Sequence, residues 1–278
     1  MPSRAAMFVV AAALSCGVAS RASIESIDFE LYRGHLIVIR AEAGHLDDLR
    51  FLVDTGTNRT VIDDELAASL GLEGRGSSVQ TFGRTMSGAD VVFPDLRLGS
   101  VRTEGLRVVA ADLSATGESL GLDRLDGIIG MDVLGRTSFT IDYGLRRLTL
   151  GATTRGRFRV PLAPDPVFPV VRVDIAGVPA DLVVDTGASH VVLFLSAGDR
   201  IFQQGGAVAA SILGGTVPLR GLFLPELRLG SWRLRDLPAV VAEAPVGRRP
   251  VKGLLAPTVL GSSLLRFDLR RRELSWGP

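Results

Sequence analysis

Two short segments hold the residues best suited to chemistry. Phe51-Leu52-Val53-Asp54-Thr55-Gly56 returns as Leu182-Val183-Val184-Asp185-Thr186-Gly187, at an offset of 131. In each, three apolar residues lead directly into Asp-Thr-Gly, so the carboxylate stands where a buried strand gives way to a turn. Each residue of the triplet has a physical use. The aspartate is ionisable. Thr55 and Thr186 are β-branched and carry a hydroxyl able to bond backbone across a symmetric interface. Gly56 and Gly187 let backbone pass where a Cβ would obstruct it. If the two copies pack about a pseudo-twofold axis, Asp54 and Asp185 meet. Two carboxylates at close range cannot both ionise freely, so they share a proton and titrate as a pair. Such a pair can hold a water, take its proton as it attacks an amide carbonyl, and protonate the leaving nitrogen. The copies differ in the next residue: Thr57 can hydrogen-bond a carboxylate, whereas Ala188 cannot.

The remaining inventory excludes most other chemistry. Cys16 is the only cysteine, and the three histidines, His35, His45 and His190, include no i, i+4 pair. There is no HExxH, GxSxG, Walker or GxGxxG pattern, so neither a metal nor a cofactor is expected. The 31 Lys and Arg against 30 Asp and Glu give a net charge of +1 with no basic stripe, so nucleic acid is not an expected partner. Lys252 is the sole lysine, a bias read as belonging to the coding genome. His190, Asp126 and Asp132 read as loop and turn residues, and Arg146-Arg147 and Arg270-Arg271-Arg272 as solvated turns.

Arg4, the apolar run Ala5 to Leu14 and the small residues at Ser20 and Ala22 have the form of a secretory leader over residues 1–22. Cleavage after Ala22 gives a periplasmic or secreted protein without cysteine. The alternative is a lipid anchor at Cys16, within Ala13-Leu14-Ser15-Cys16-Gly17, which makes a membrane-anchored lipoprotein.

Repetition organises the rest. At the offset of 131, Phe93-Pro94-Asp95-Leu96-Arg97-Leu98-Gly99-Ser100 recurs as Leu224-Pro225-Glu226-Leu227-Arg228-Leu229-Gly230-Ser231, and Phe82-Gly83 falls on Leu213-Gly214. Later the offset becomes 126, with Gly127-Ile128-Ile129-Gly130 on Gly253-Leu254-Leu255-Ala256 and Val133-Leu134-Gly135 on Val259-Leu260-Gly261. The change of five is a loop shortened in the second copy. The domains expected are therefore 23–155 and 156–278. Short β-rich runs bounded by Gly, Pro and polar residues predict an all-β lobe, including a hairpin from Thr140-Ile141-Asp142-Tyr143-Gly144 to Leu148-Thr149-Leu150. One helix is predicted in the first copy, capped by Asp63 or Asp64, running over Glu65 to Leu70 and stopped by Gly71.

These residues resemble the aspartic proteases, of retropepsin-like kind, as two fused lobes in one chain in the manner of a pepsin. The resemblance spans about Leu36 to Trp276. It implies an all-β, bilobal, pepsin-like fold of two pseudo-twofold-related, barrel-like lobes with a cleft between them. It makes Asp54 and Asp185 the catalytic pair, with Thr55, Gly56, Thr57, Thr186 and Gly187 supporting them. Ile128-Ile129-Gly130 matches the segment that packs under the active-site loop, and the flaps fall near Phe82-Gly83 and Leu213-Gly214. The implied activity is endopeptidase cleavage of a polypeptide substrate by a monomer that is an internal pseudo-dimer. Ala256 departs from the family glycine and is expected to strain or shift the loop under Asp185. It is the feature that favours the alternative, a catalytically inactive peptide-binding module of the cell envelope.

Overall fold

The computed structural model describes residues 25–81, 84–151, 153–194, 203–212, 215–242 and 251–278. The segment expected to be a leader, with Cys16, and the flap candidates Phe82, Gly83, Leu213 and Gly214 lie outside these residues. Strand β1 (Glu25–Tyr32) pairs antiparallel with β2 (Leu36–Ala43), whose first four residues are all buried before Arg40 and Glu42 turn outward. β3 (Leu46–Val53) runs back beside β2 and ends on the buried triplet Phe51-Leu52-Val53. After β4 (Val61–Asp63) comes α1 (Asp64–Ser69), with the Asp63 side chain accepting the Glu65 N–H at 3.0 Å. Of the two predicted caps, then, the structure uses Asp63. β5 (Arg75–Thr81) and β6 (Arg84–Leu98) form a hairpin, and Gly99-Ser100 turns β6 into β7 (Val101–Ala111). Then follow α2 (Ser114–Leu120), β8 (Gly127–Ile129), α3 (Met131–Leu134) and the expected hairpin of β9 (Phe139–Asp142) with β10 (Arg147–Leu150). The sequence predicted one helix here and the structure has three. α2 and α3 are seven and four residues long, and α2 carries Gly117 in its middle, so neither leaves a readable apolar period.

The second lobe repeats this order as β11 (Phe158–Pro161), β12 (Val170–Ile175), β13 (Val178–Val184), β14 (Val191–Phe194), β15 (Gln203–Ile212), β16 (Gly215–Leu229), β17 (Trp232–Ala242), β18 (Gly253–Leu255), β19 (Leu264–Asp268) and β20 (Glu273–Trp276). A 3-10 turn at Pro257–Leu260 stands where α3 stands. Among the described residues α1 and α2 have no counterpart. The protein is thus all-β and bilobal.

Two features of the topology position the site. In each lobe a short strand lies between two others: β8 runs parallel to β3 and antiparallel to β4, and β18 does the same between β13 and β14. That strand anchors the residue after β3 or β13, through Asp54 N–H to Ile129 O and Asp185 N–H to Leu255 O, each at 3.0 Å. Beneath both lobes, six strands make a shared sheet in the order β11-β20-β19-β9-β10-β1. At its centre Thr140 faces Arg266, which is Thr140 displaced by the repeat offset of 126. A residue paired with its own repeat is what a twofold axis through that pair requires. Phe139 and Phe267 flank the axis, fully buried and stacked at 4.4 Å. Arg266 is buried as well, and its guanidinium donates to Gly277 O at 2.7 Å and Thr154 Oγ1 at 3.0 Å, tying the interlobe connection and the last strand to the sheet. The main apolar core runs through this sheet into both lobes, with a smaller separate cluster in each.

Phe267→Ala removes a ring from the axis that both lobes share. It should destabilise the folded chain by about 3–5 kcal/mol in urea unfolding. A cost below about 1 kcal/mol would mean that the lobes do not depend on this stack.

Candidate active site

Asp54 and Asp185 each leave the end of a buried strand held between neighbours, and the pseudo-twofold axis brings them together. The contact is lined by the two Asp-Thr-Gly turns. The Thr55 N–H donates to Thr186 Oγ1 at 3.0 Å, and the Thr55 hydroxyl donates to Val184 O at 2.7 Å. The reciprocal bonds run from Thr186 N–H to Thr55 Oγ1 at 3.0 Å and from the Thr186 hydroxyl to Val53 O at 2.8 Å. Both threonines are buried, so each hydroxyl fills its donor and its acceptor role inside the protein. The glycines are required by the approach itself. A Cβ on Gly56 would lie 2.5 Å from Asp185 Cγ, and one on Gly187 would lie 3.2 Å from Asp54 Cγ.

The two carboxyls are not in equal surroundings. Asp54 accepts the Gly56 N–H on Oδ1 at 2.7 Å and the Thr57 hydroxyl on Oδ2 at 2.7 Å. Asp185 accepts the Gly187 N–H on Oδ1 at 2.8 Å, and Ala188 offers no side-chain donor. Asp185 is also the more enclosed of the two, with 7% of its surface exposed. Burial, followed by the neighbouring charge and hydrogen bond of Asp54, pushes its carboxyl well above the usual carboxylate range, against the pull of the Gly187 and Ala188 N–H groups. The surroundings therefore favour the protonated form of Asp185, while Asp54 has a side-chain donor in Thr57 that Asp185 lacks.

The loops beneath the pair differ as well. In the first lobe Met131 N–H donates to Thr57 O at 2.8 Å, and a Cβ on Gly130 would lie 2.8 Å from Arg59 C and 2.9 Å from both Arg59 O and Thr57 O. In the second lobe Pro257 replaces Met131 and has no N–H to draw the loop inward. Ala256 is fully buried there with φ −67° and ψ 132°, while Asp185 N–H still reaches Leu255 O at 3.0 Å. The strain expected of Ala256 is absent.

Thr60 and Asp132 supply a support that sequence reading missed. Asp132 accepts the Thr60 N–H at 2.9 Å and its hydroxyl at 2.8 Å, and Thr60 Oγ1 accepts the Gly130 N–H at 3.2 Å. Asp132 is thus more than a turn residue. Its only sequence signal was its position two residues after Ile129-Gly130. Asp126 accepts the Arg50 N–H at 2.7 Å, away from the pair. His190 is exposed and shares a hydrogen bond with Ser189 through Nδ1 at 2.8 Å. Among the described residues no group of three or more His, Cys, Asp or Glu is placed to hold a metal ion.

A family model described as aspartyl protease matches the chain twice, over residues 40–133 and 171–264. The two matched stretches each contain one Asp-Thr-Gly and its supporting strand. No curated protein matches the chain.

The raised pKa of Asp185 has a consequence for stability. From pH 3.8, its ordinary value, up to its folded pKa, the folded state keeps a proton that the unfolded chain has lost. The contribution of Asp185 to stability therefore falls as pH rises through that window and then levels off. Asp185→Asn, which keeps the neutral shape, should remove this fall and be more stable than the parent chain above it. Urea unfolding across a pH series checks this; parallel curves for the two proteins would contradict it.

Proposed function

The chain belongs to the aspartyl protease family, and from that premise we propose that it is an aspartic endopeptidase working through Asp54 and Asp185. The observation that carries the reading is the unequal pair: two carboxyls in contact, Asp54 accepting a backbone and a side-chain donor and Asp185 buried and favoured as the acid. Shared protonation of this kind is the general case of two carboxylates set side by side.

An extended polypeptide lies in the cleft between the lobes, its scissile carbonyl above the pair. A water held between the two carboxyls attacks the carbonyl carbon, and Asp54 takes the proton that the water gives up. Asp185 gives its proton to the carbonyl oxygen, so the tetrahedral adduct forms as a neutral gem-diol. The C–N bond then breaks as the proton on Asp54 passes to the leaving nitrogen, and one hydroxyl of the gem-diol returns a proton to Asp185. Protons balance over the cycle and no covalent enzyme adduct forms. The Thr57 hydroxyl stabilises Asp54 in the charged form from which the cycle starts, and the threonine bonds beneath hold the carboxyls at fixed separation.

The same reading extends to setting and partners. The protein acts as a monomer on polypeptide, in the periplasm or outside the cell, or held at a membrane through Cys16. Neither nucleic acid nor metal takes part.

The test is digestion of a diverse peptide library by the chain starting at Ser23, read by mass spectrometry across pH, beside Asp54→Asn and Asp185→Asn. Cuts should vanish in both variants, and cleavage by the parent should decline as pH rises through the raised pKa of Asp185. Thr57→Ala should lower kcat/KM by about 10- to 100-fold, the cost of one hydrogen bond to a charged group. Cutting by either Asn variant would overturn the paired-carboxylate mechanism. A folded parent that cuts nothing would leave the peptide-binding module as the reading.

A further inference from the structure

The six-stranded sheet beneath the lobes has an outer face, and the pseudo-twofold axis fixes which way it points. Thr140 and its repeat Arg266 pair on adjacent antiparallel strands, and a twofold that exchanges such strands without turning the sheet over stands normal to it. The inner face carries Phe139 and Phe267 into the core below Asp54 and Asp185. Residues directly opposite one another share a face, so the outer one runs across the strands as Arg159, Ser275, Arg266, Thr140, Thr149 and Ser26. A flat surface laid against it is perpendicular to the axis. It therefore meets the β9–β10 turn and its repeat, the β19–β20 turn, at equal height.

Both turns are pinned by the same bonds. Asp142 accepts the Leu145 N–H at 2.8 Å, and Asp268 accepts the Arg271 N–H at 2.9 Å. Arg146 and Arg272, each at φ 53°, accept the N–H groups of Phe29 at 2.9 Å and Leu162 at 2.8 Å. The tips so held are exposed: Leu145-Arg146 in one turn and Arg270-Arg271-Arg272 in the other. Leu145, at 69%, is the most exposed large apolar residue among those described. A single exposed leucine means little by itself. Its setting is what matters. The carboxylates of this sheet are already engaged, Asp28 with Arg147 at 3.2 Å, Asp268 with Arg271 at 2.8 Å and Glu273 with Arg155 at 3.9 Å. Arg146, Arg157, Arg159, Arg270 and Arg272 are exposed and make no ion pair among the described residues. The whole chain carries only +1, so this surplus of cations is local. The chain also enters the sheet here, at Glu25 beside Leu150, nine residues after Cys16. Nine extended residues reach about 30 Å, so an anchor on Cys16 would tether the same side.

We propose that the outer face of this sheet docks on an anionic lipid bilayer, with the arginines of both turns and of β11 against the headgroups and Leu145 inserted beneath them. The axis then stands along the bilayer normal, and the cleft at its far end opens into the aqueous phase. The docking does not depend on the endopeptidase reading. Each arginine brought to an anionic surface is worth about fivefold in partition, an effect that salt screens. A nucleic acid could use the same cations but has no place for Leu145, which is what favours the bilayer.

The test is co-sedimentation of the chain starting at Ser23 with vesicles, so that no lipid on Cys16 contributes. Vesicles of phosphatidylglycerol mixed with phosphatidylcholine should bring the protein down, phosphatidylcholine alone should not, and binding should weaken from about 0.01 M to 0.15 M salt. Arg146→Glu/Arg270→Glu/Arg272→Glu should lower the partition at least about tenfold. Arg75→Glu/Arg220→Glu/Arg235→Glu makes the same change of charge at exposed positions outside this sheet and should alter it by less than about twofold. Leu145→Asn, which keeps every charge, should lower it by about three- to tenfold. Thermal melting of each variant separates lost binding from lost folding. Equal binding to neutral vesicles, sedimentation without vesicles, or equal losses in the two arginine triples would overturn the inference. So would binding to a DNA duplex as tight as to the anionic vesicles, lost with Arg146, Arg270 and Arg272 but indifferent to Leu145.

Discussion

Everything in this molecule turns on holding two carboxyls in contact at the end of two buried strands. Left alone, the pair would spread, since burial and like charge both oppose it. The reciprocal bonds of Thr55 and Thr186 resist that spreading from below. Each hydroxyl accepts the other threonine's N–H and donates into the opposite lobe's strand, so moving one lobe breaks four buried bonds together. A buried donor or acceptor left unpaired costs about 1–3 kcal/mol, so the cheapest response to the repulsion is a shared proton and not a displaced strand. The six-stranded sheet, with Phe139 and Phe267 stacked at the axis, sets the distance from beneath.

On that symmetric frame the chemistry depends on departures from symmetry. Thr57 against Ala188 gives Asp54 a side-chain donor that Asp185 lacks. Met131 against Pro257 decides whether the residue after the short strand donates an N–H to the loop under the carboxyl. A homodimer of one lobe could make none of these distinctions independently. Fusion of the two copies into one chain allows each to change without its partner.

Much of this was legible in the residues, for definite reasons. The Asp-Thr-Gly pair and its apolar strands are contiguous and repeated, so the duplication, the all-β lobes and the meeting of Asp54 with Asp185 follow from a shift of the sequence against itself. Asp63, Gly71 and the hairpin around Gly144 carry local turn and cap chemistry, and the structure has them where local chemistry puts them. What was hidden depends on contacts between distant positions. Asp132 reads as a turn residue until Thr60, 72 positions away, is brought to it. Ala256 reads as a defect until Pro257 is seen to lack the N–H that tightens the other loop. The helices α2 and α3 are too short to announce themselves by period.

The central claim is that Asp54 and Asp185 share one proton, held on Asp185. The most direct measurement is a carboxyl-carbon NMR titration of Asp185 in the chain starting at Ser23, beside the same titration in Asp54→Asn. The account requires Asp185 to titrate well above the usual carboxylate range in the parent chain. It also requires a clear fall when the charge on Asp54 is removed, with burial keeping part of the elevation. A normal titration near 3.8 in the parent, or one indifferent to Asp54, would contradict it.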